Sequence, residues 1–195
     1  MAAALGAALA GFWLARELDS SGPELASGTW LPRPKQLADF RLIDQSGQPF
    51  ALRDLRGHPS LVFFGFTHCP DVCPTTLVKL AQVKKTAGIP DLRVVFVTID
   101  PARDTPTLVG QYVRAFDPGF IGLTGDNRDI LKMAANFGVA VNRIELPGGD
   151  YTMDHSAVVF LLDRHGAVAG IFTPPFDIPK LSADLGRAAP YLGKS

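Results

Sequence analysis

Residues 59–66, PSLVFFGF, form an unbroken apolar run only eight residues long. A run that short without polar alternation is expected of a strand buried on both faces. LRVVFVTID, over 92–100, has the same character. Two such strands need helices to cover them, and the sequence between and after them supplies helical patterns. TTLVKLAQVKKTAG places Leu77, Leu80 and Ala81 at helical spacing and stops at Gly88. DTPTLVGQYVRAF (104–116) reads as a helix that Asp104 or Thr105 can cap, with Pro106 in its first turn. FIGLTG is a short strand, and NRDILKMAANFG (127–138) is a helix ended by Gly138. SAVVFLLD and AVAGIFT flank Arg164-His165-Gly166 as a hairpin, and IPKLSADLGRAAPYLG closes the chain as a helix. The order predicts an α/β domain with a central mixed sheet flanked by helices.

Ahead of this pattern, DFRLIDQSGQPFALRDLRG has alternating apolar positions around Gln45-Ser46-Gly47-Gln48, which predicts an N-terminal hairpin extension. Residues 18–37 mix Ser, Gly and Pro with little periodicity and read as a linker. Residues 1–17 open with fifteen uncharged residues, ended by Arg16-Glu17. That run is shorter than the roughly 20 residues of a spanning helix. It fits a signal anchor whose start lies upstream of Met1, the hydrophobic part of an export signal, or an apolar helix on the domain. The first two are favoured, because a soluble protein rarely leads with so apolar a stretch. The expected organisation is an apolar segment over 1–17, a linker over 18–37 and one domain over 38–195.

The 19 basic and 19 acidic residues cancel to a formal charge of +0. No basic stripe is present to hold a phosphate backbone, so nucleic acid is not an expected partner. The two cysteines are too few for a disulfide scaffold and fit no zinc-finger spacing.

Both cysteines lie in FTHCPDVCP, just past the 59–66 strand and at the start of a helix. In open sheets ligands gather at that end of the strands, and a helix N-terminus offers free N–H groups that stabilise thiolate. Cys69 and Cys73 stand at i and i+4, about 5–6 Å apart at Cβ on a helical turn. One metal ion can bridge them, and a disulfide can close if the turn tightens. The three-residue spacer differs from the Cys-x-x-Cys of dithiol enzymes and favours a redox-capable ligand pair over a dedicated oxidoreductase. A third ligand must come from His58, His68, His155 or His165. His165 falls in a turn, and His58 at the far end of its strand. His68 adjoins Cys69, where sequence neighbours often point apart. His155 precedes the hairpin strand and faces the cysteine loop in this topology, so it is the favoured ligand. Two thiolates and an imidazole suit Cu(I) above all, with Cu(II) or Zn(II) also accommodated.

FFGFTHCPDVCPTTL, VTIDPARDTP and YTMDHSAVVFLLD, in that order and spacing, resemble the Sco/SenC family of copper-binding proteins across residues 38–192. The resemblance implies a thioredoxin-like fold and one copper per chain, as Cu(I) or Cu(II), on Cys69, Cys73 and His155. It implies Asp71, Asp100 and Asp154 as residues near the ligands that shape charge or a partner surface, with a loop-fixing role equally open for Asp100. It further implies a metallochaperone serving the binuclear copper centre of cytochrome c oxidase subunit II. A thiol reductase would keep Cys69 and Cys73 reduced, and another copper chaperone could act as donor. The expected location is the periplasmic side of a bacterial inner membrane, with N-terminal attachment. The alternative is a thiol–disulfide oxidoreductase that reduces the cysteines of the copper-accepting partner, using the same Cys69 and Cys73. The turn Val72-Cys73-Pro74-Thr75 is also similar to that of peroxiredoxins. Those enzymes want a threonine three residues before the reactive cysteine, where this chain has Pro70.

Overall fold

In a computed structural model of the chain, residues 22–193 are described. In chain order the elements are β1 (Gly28–Lys35), β2 (Arg41–Asp44), β3 (Pro49–Ala51), α1 (Leu52–Leu55), β4 (Ser60–Gly65), α2 (Val72–Thr86), β5 (Arg93–Thr98), α3 (Pro106–Arg114), β6 (Ile121–Thr124), α4 (Asn127–Phe137), β7 (Val141–Glu145), β8 (Tyr151–His155), β9 (Val159–Leu162), β10 (Val168–Phe172) and α5 (Ile178–Ala188). Eight strands form one mixed sheet in the order β1-β10-β9-β4-β5-β6-β2-β3. All six residues of β4 are buried, as the apolar run requires. β4, β5 and β6 are parallel neighbours, and β9 runs antiparallel against the other side of β4. Helices α2 and α5 lie against each other, joined by the Thr86 and Ser182 hydroxyls at 2.7 Å.

The caps follow local chemistry. Thr105 accepts from the Leu108 N–H at 3.3 Å, so threonine and not Asp104 caps α3. Asp126 caps α4, and Gly138 ends it at φ 80, a left-handed geometry that glycine takes without steric cost. The predicted N-terminal hairpin is β2–β3, with Gly47 in its turn.

One expectation is corrected. The linker over 18–37 is too long, because its residues 28–35 are β1, an edge strand antiparallel to β10. Pro32 and Pro34 read as linker, yet an edge strand tolerates proline because it needs donors on one side only. Its register is interrupted between Trp30 and Lys35, where those prolines lie. The preceding turn is tied down by buried Asp184, which accepts from the Ala26 N–H, the Ser27 N–H and the Ser27 hydroxyl. Burial works to raise the Asp184 pKa, but these donors outweigh it and hold it below the usual carboxylate range. Residues 141–155, assigned no element from the sequence, form a separate two-stranded ribbon, β7–β8, with Val141 opposite His155 and Glu145 opposite Tyr151. The apolar 1–17 segment lies outside the described residues, among which no helix is long and apolar enough to cross a membrane.

Candidate metal centre

Parallel pairing of β4 and β5 sets Gly65 beside Thr98, so the chain leaves both strands at one edge. The loop after Gly65 carries Cys69, and the turn after Thr98 carries Asp100, Arg103 and Asp104. The helix starts at Val72, so Cys73 sits inside the first turn of α2 and is buried, while Cys69 is half-buried. A side chain at Gly65 would place its Cβ 2.9 Å from the Cys73 Sγ and 2.8 Å from the Phe96 ring. Glycine there lets the thiol lie directly against the end of β4.

The structure brings Cys73 and His155 together, with the Sγ 3.7 Å from the imidazole Nε2. Metal–sulfur and metal–nitrogen bonds of about 2.3 and 2.0–2.1 Å, at tetrahedral to trigonal angles, separate the two donor atoms by about 3.6–3.8 Å. The observed approach matches that separation. His155 Nδ1 lies 3.1 Å from the Ser156 carbonyl. A carbonyl only accepts, so in the neutral ring Nδ1 carries the proton and Nε2 presents its lone pair to the sulfur. The Phe63 and Phe66 rings flank the imidazole at 6.1 and 6.3 Å between centroids. Burial among them holds the His155 pKa below its ordinary value, against the opposing pull of the Ser156 carbonyl and Asp154. Cys69 joins through its sulfur, which accepts from the Cys73 N–H at 3.4 Å. Among the described residues, no three His, Cys, Asp or Glu side chains are gathered into a preassembled metal cage.

The helix start favours a Cys73 thiolate, but burial outweighs it. Burial pushes the Cys73 thiol far up, and the hydrogen bond with Cys69 adds to it. A helix N-terminus contributes about 0.3–1 kcal/mol, whereas burying an unpaired charge costs several. Cys73 is therefore a protonated thiol at neutral pH, and a bound cation must displace that proton. His155, held low, has no proton to lose near neutrality. Copper affinity is accordingly expected to rise at least about tenfold per unit between about pH 7 and 8. Competition titrations, with proton release measured in two buffers, would check it. A flat profile would remove Cys73 thiolate from the bound state.

Among the described residues, none of the other predicted residues hydrogen-bonds or ion-pairs with Cys69, Cys73 or His155. Asp71 is exposed and accepts from the Thr75 hydroxyl at 3.2 Å, without capping α2 through its side chain. Asp154 is exposed. Asp100 is buried and touches neither thiol among the contacts seen; it accepts from the Tyr151 hydroxyl at 2.8 Å and pairs with Arg103 Nε at 2.5 Å. His68 turns to Asp104 at 3.7 Å and His58 to Asp91 at 3.5 Å, and His165 is exposed. Asp104, read from sequence as a helix cap, is instead fully buried under the cysteine loop. Its carboxyl accepts from the Thr67 N–H at 3.0 Å, the Thr67 hydroxyl at 2.6 Å and the Thr98 hydroxyl at 2.5 Å. Tyr151 was not singled out by sequence at all, although its alternation with Met153 and His155 carries the signal.

Comparison with known proteins gives a consistent picture. The family model described as SCO1/SenC matches residues 31–189. An SCO2-like protein of Rickettsia felis is 42% identical over 132 residues, covering 66% of this chain and 64% of that protein. The human mitochondrial SCO2 homologue is 36% identical over 168 residues, covering 83% and 63%. The matched region thus spans a little under two thirds of these relatives' own length. The structure of Bradyrhizobium japonicum ScoI with copper bound superimposes with a TM-score of 0.71 at 38% identity, covering 78% of this chain and 98% of that one.

Proposed function

The chain belongs to the SCO1/SenC family, and on that premise we propose that it is a copper metallochaperone. It carries one copper ion on Cys69, Cys73 and His155 and delivers it to the binuclear copper centre of cytochrome c oxidase subunit II. The observation that supports this reading most is the 3.7 Å approach of the Cys73 sulfur to a His155 nitrogen whose lone pair is free. The copper-bound state of the similar Bradyrhizobium japonicum protein supports the choice of metal. Two soft thiolates with one imidazole favour Cu(I), leaving a net charge of −1 that the α2 N-terminus offsets. Half-buried Cys69 is the ligand that an incoming thiolate reaches first, so release proceeds by ligand exchange from that side, with Cys73 and His155 last to let go. Asp71 and Asp154, both exposed, form part of the surface that a partner meets.

Binding requires the reduced dithiol, because a disulfide offers no thiolate. In an oxidising compartment, on the periplasmic side of a membrane to which the N-terminal segment attaches the domain, a thiol reductase partner restores that state. Copper arrives from a separate donor chaperone.

A second reading is supported by the unequal burial of the two thiols. Cys69 can attack a disulfide on the accepting partner, and Cys73 behind it can then close onto Cys69, reducing that disulfide to two thiols as this pair is oxidised.

Titrating the fully reduced chain and the Cys69–Cys73 disulfide form with copper, counting metal per chain, tests the main reading. One copper on the reduced form and none on the oxidised form is the expected result. No tight copper on the reduced form would overturn the chaperone reading and leave thiol exchange.

A further inference from the structure

The His155 ribbon shares no ladder with the main sheet. Two strands alone are at best marginally stable in water. The position of His155 therefore depends on how the ribbon is held to the body of the domain. Tyr151, Met153 and His155 alternate onto one face of β8. Met153 and Val141 pack against the core. A groove of about 500 Å³ remains between ribbon and body, lined by Ile99, Asp100, Leu131, Val141, Tyr151 and Met153. Apart from the Cys73–His155 approach, the side-chain hydrogen bonds that tie ribbon to body among the described residues all run to one turn. The Tyr151 hydroxyl donates to Asp100 at 2.8 Å, and Arg103 Nη1 donates to the Tyr151 carbonyl at 3.1 Å and to Asp150 at 3.4 Å. The Tyr151 ring is held between two guanidinium groups, Arg103 at 3.8 Å and Arg143 at 3.7 Å.

The same turn holds the thiol loop, because Asp104 grips Thr67 at both its N–H and its hydroxyl. Asp104 is in turn fixed by its own N–H, which donates to the Asp100 carbonyl at 2.9 Å. We propose that the 98–104 turn is a yoke that sets the thiol pair and His155 in register, with Asp104 gripping one arm and Asp100 and Arg103 gripping the other through Tyr151. Tyr151 lies four residues from His155, roughly 13 Å along an extended strand. It is a positioning residue, and it acts on the metal only through the ribbon. The inference rests on the copper-site reading above.

Tyr151→Phe tests it, because it removes the hydroxyl and keeps the ring between the guanidinium groups. Amide hydrogen exchange over 151–155 in the metal-free reduced chain is expected to speed up about tenfold, the worth of one hydrogen bond to a charged group, while β4 and β5 stay unchanged. Copper affinity is expected to fall by a similar factor at an unchanged one copper per chain. In the Cu(II)-loaded protein the nitrogen coupling from His155 weakens, while the thiolate-to-copper absorption persists. Unchanged ribbon exchange with unchanged affinity would overturn the yoke, as would exchange that rises equally across the sheet. His155→Ala run in parallel separates the two ideas. If it binds copper like the wild type while Tyr151→Phe still frees the ribbon, the ligand reading fails and the tie between turn and ribbon stands.

Discussion

Cys73→Ser is expected to lower copper affinity roughly a hundredfold to a thousandfold while leaving the fold in place. In four-ligand structural zinc sites about 10–16 kcal/mol is shared among the ligands, or about 2.5–4 kcal/mol each, which is a factor of about sixty to just under a thousand. Serine keeps the shape of the side chain and can still donate to His155 Nε2, so the buried position is not emptied. What it lacks is a soft sulfur that ionises when the metal arrives. Cys69→Ser should lose a similar amount. His155→Ala should lose less, about tenfold to a hundredfold, because a neutral imidazole supplies no charge and two thiolates alone still hold Cu(I). Competition against a chelator of known affinity, under nitrogen, would rank the three. An equal loss for His155→Ala and Cys73→Ser would point to a site in which the imidazole is as indispensable as the thiolates. No loss for Cys73→Ser would remove Cys73 from the ligand set.

Much of the fold was legible because its centre is built from strands buried on both faces. β4 and β5 announce themselves as apolar runs, and Gly88, Thr105, Asp126 and Gly138 mark helix ends by chemistry that acts locally. The two elements that escaped depend on distant contacts. β1 is a strand only because β10 offers it an edge and Asp184, some 157 residues away, fixes the turn before it. The β7–β8 ribbon did carry a local sign, Pro147-Gly148-Gly149-Asp150 between two short alternating stretches. Five-residue strands with Arg143, Glu145 and Asp154 among them give a weak pattern, and the stretch is assigned no element from the sequence.

The site divides in the same way. The cysteine pair was visible because two thiols four apart after a buried strand have few structural uses. His155 was reached by asking which histidine the topology returns to that loop. Its partner atoms were beyond sequence, since the Ser156 carbonyl that selects the tautomer is a backbone group. The protonation of Cys73 was beyond sequence for a physical reason. Position at a helix start is local and readable, whereas the burial that outweighs it comes from Gly65 and the strands beneath.

Asp104→Ala is expected to destabilise the metal-free chain by about 3–5 kcal/mol, the scale of breaking a buried hydrogen-bond network at a charged or strongly polar hub. The carboxyl is fully buried and receives three donors, from the Thr67 N–H, the Thr67 hydroxyl and the Thr98 hydroxyl. Alanine leaves all three facing a cavity. The hydroxyls can turn elsewhere, but the Thr67 N–H is fixed by the backbone and bears the full penalty of an unmade bond. Asp104→Asn keeps the volume and one acceptor oxygen and should cost less, about 1–3 kcal/mol. Thr67 lies two residues before Cys69, so the loop that Asp104 releases is the one carrying the half-buried thiol. The alanine variant should therefore lose copper affinity beyond what its fold stability explains, measured at a temperature where it remains folded. Urea unfolding of the reduced protein would read the first effect. A cost below about 1 kcal/mol for alanine would mean that water or a shifted Thr67 replaces these bonds, and the carboxyl would then cap nothing that the loop needs.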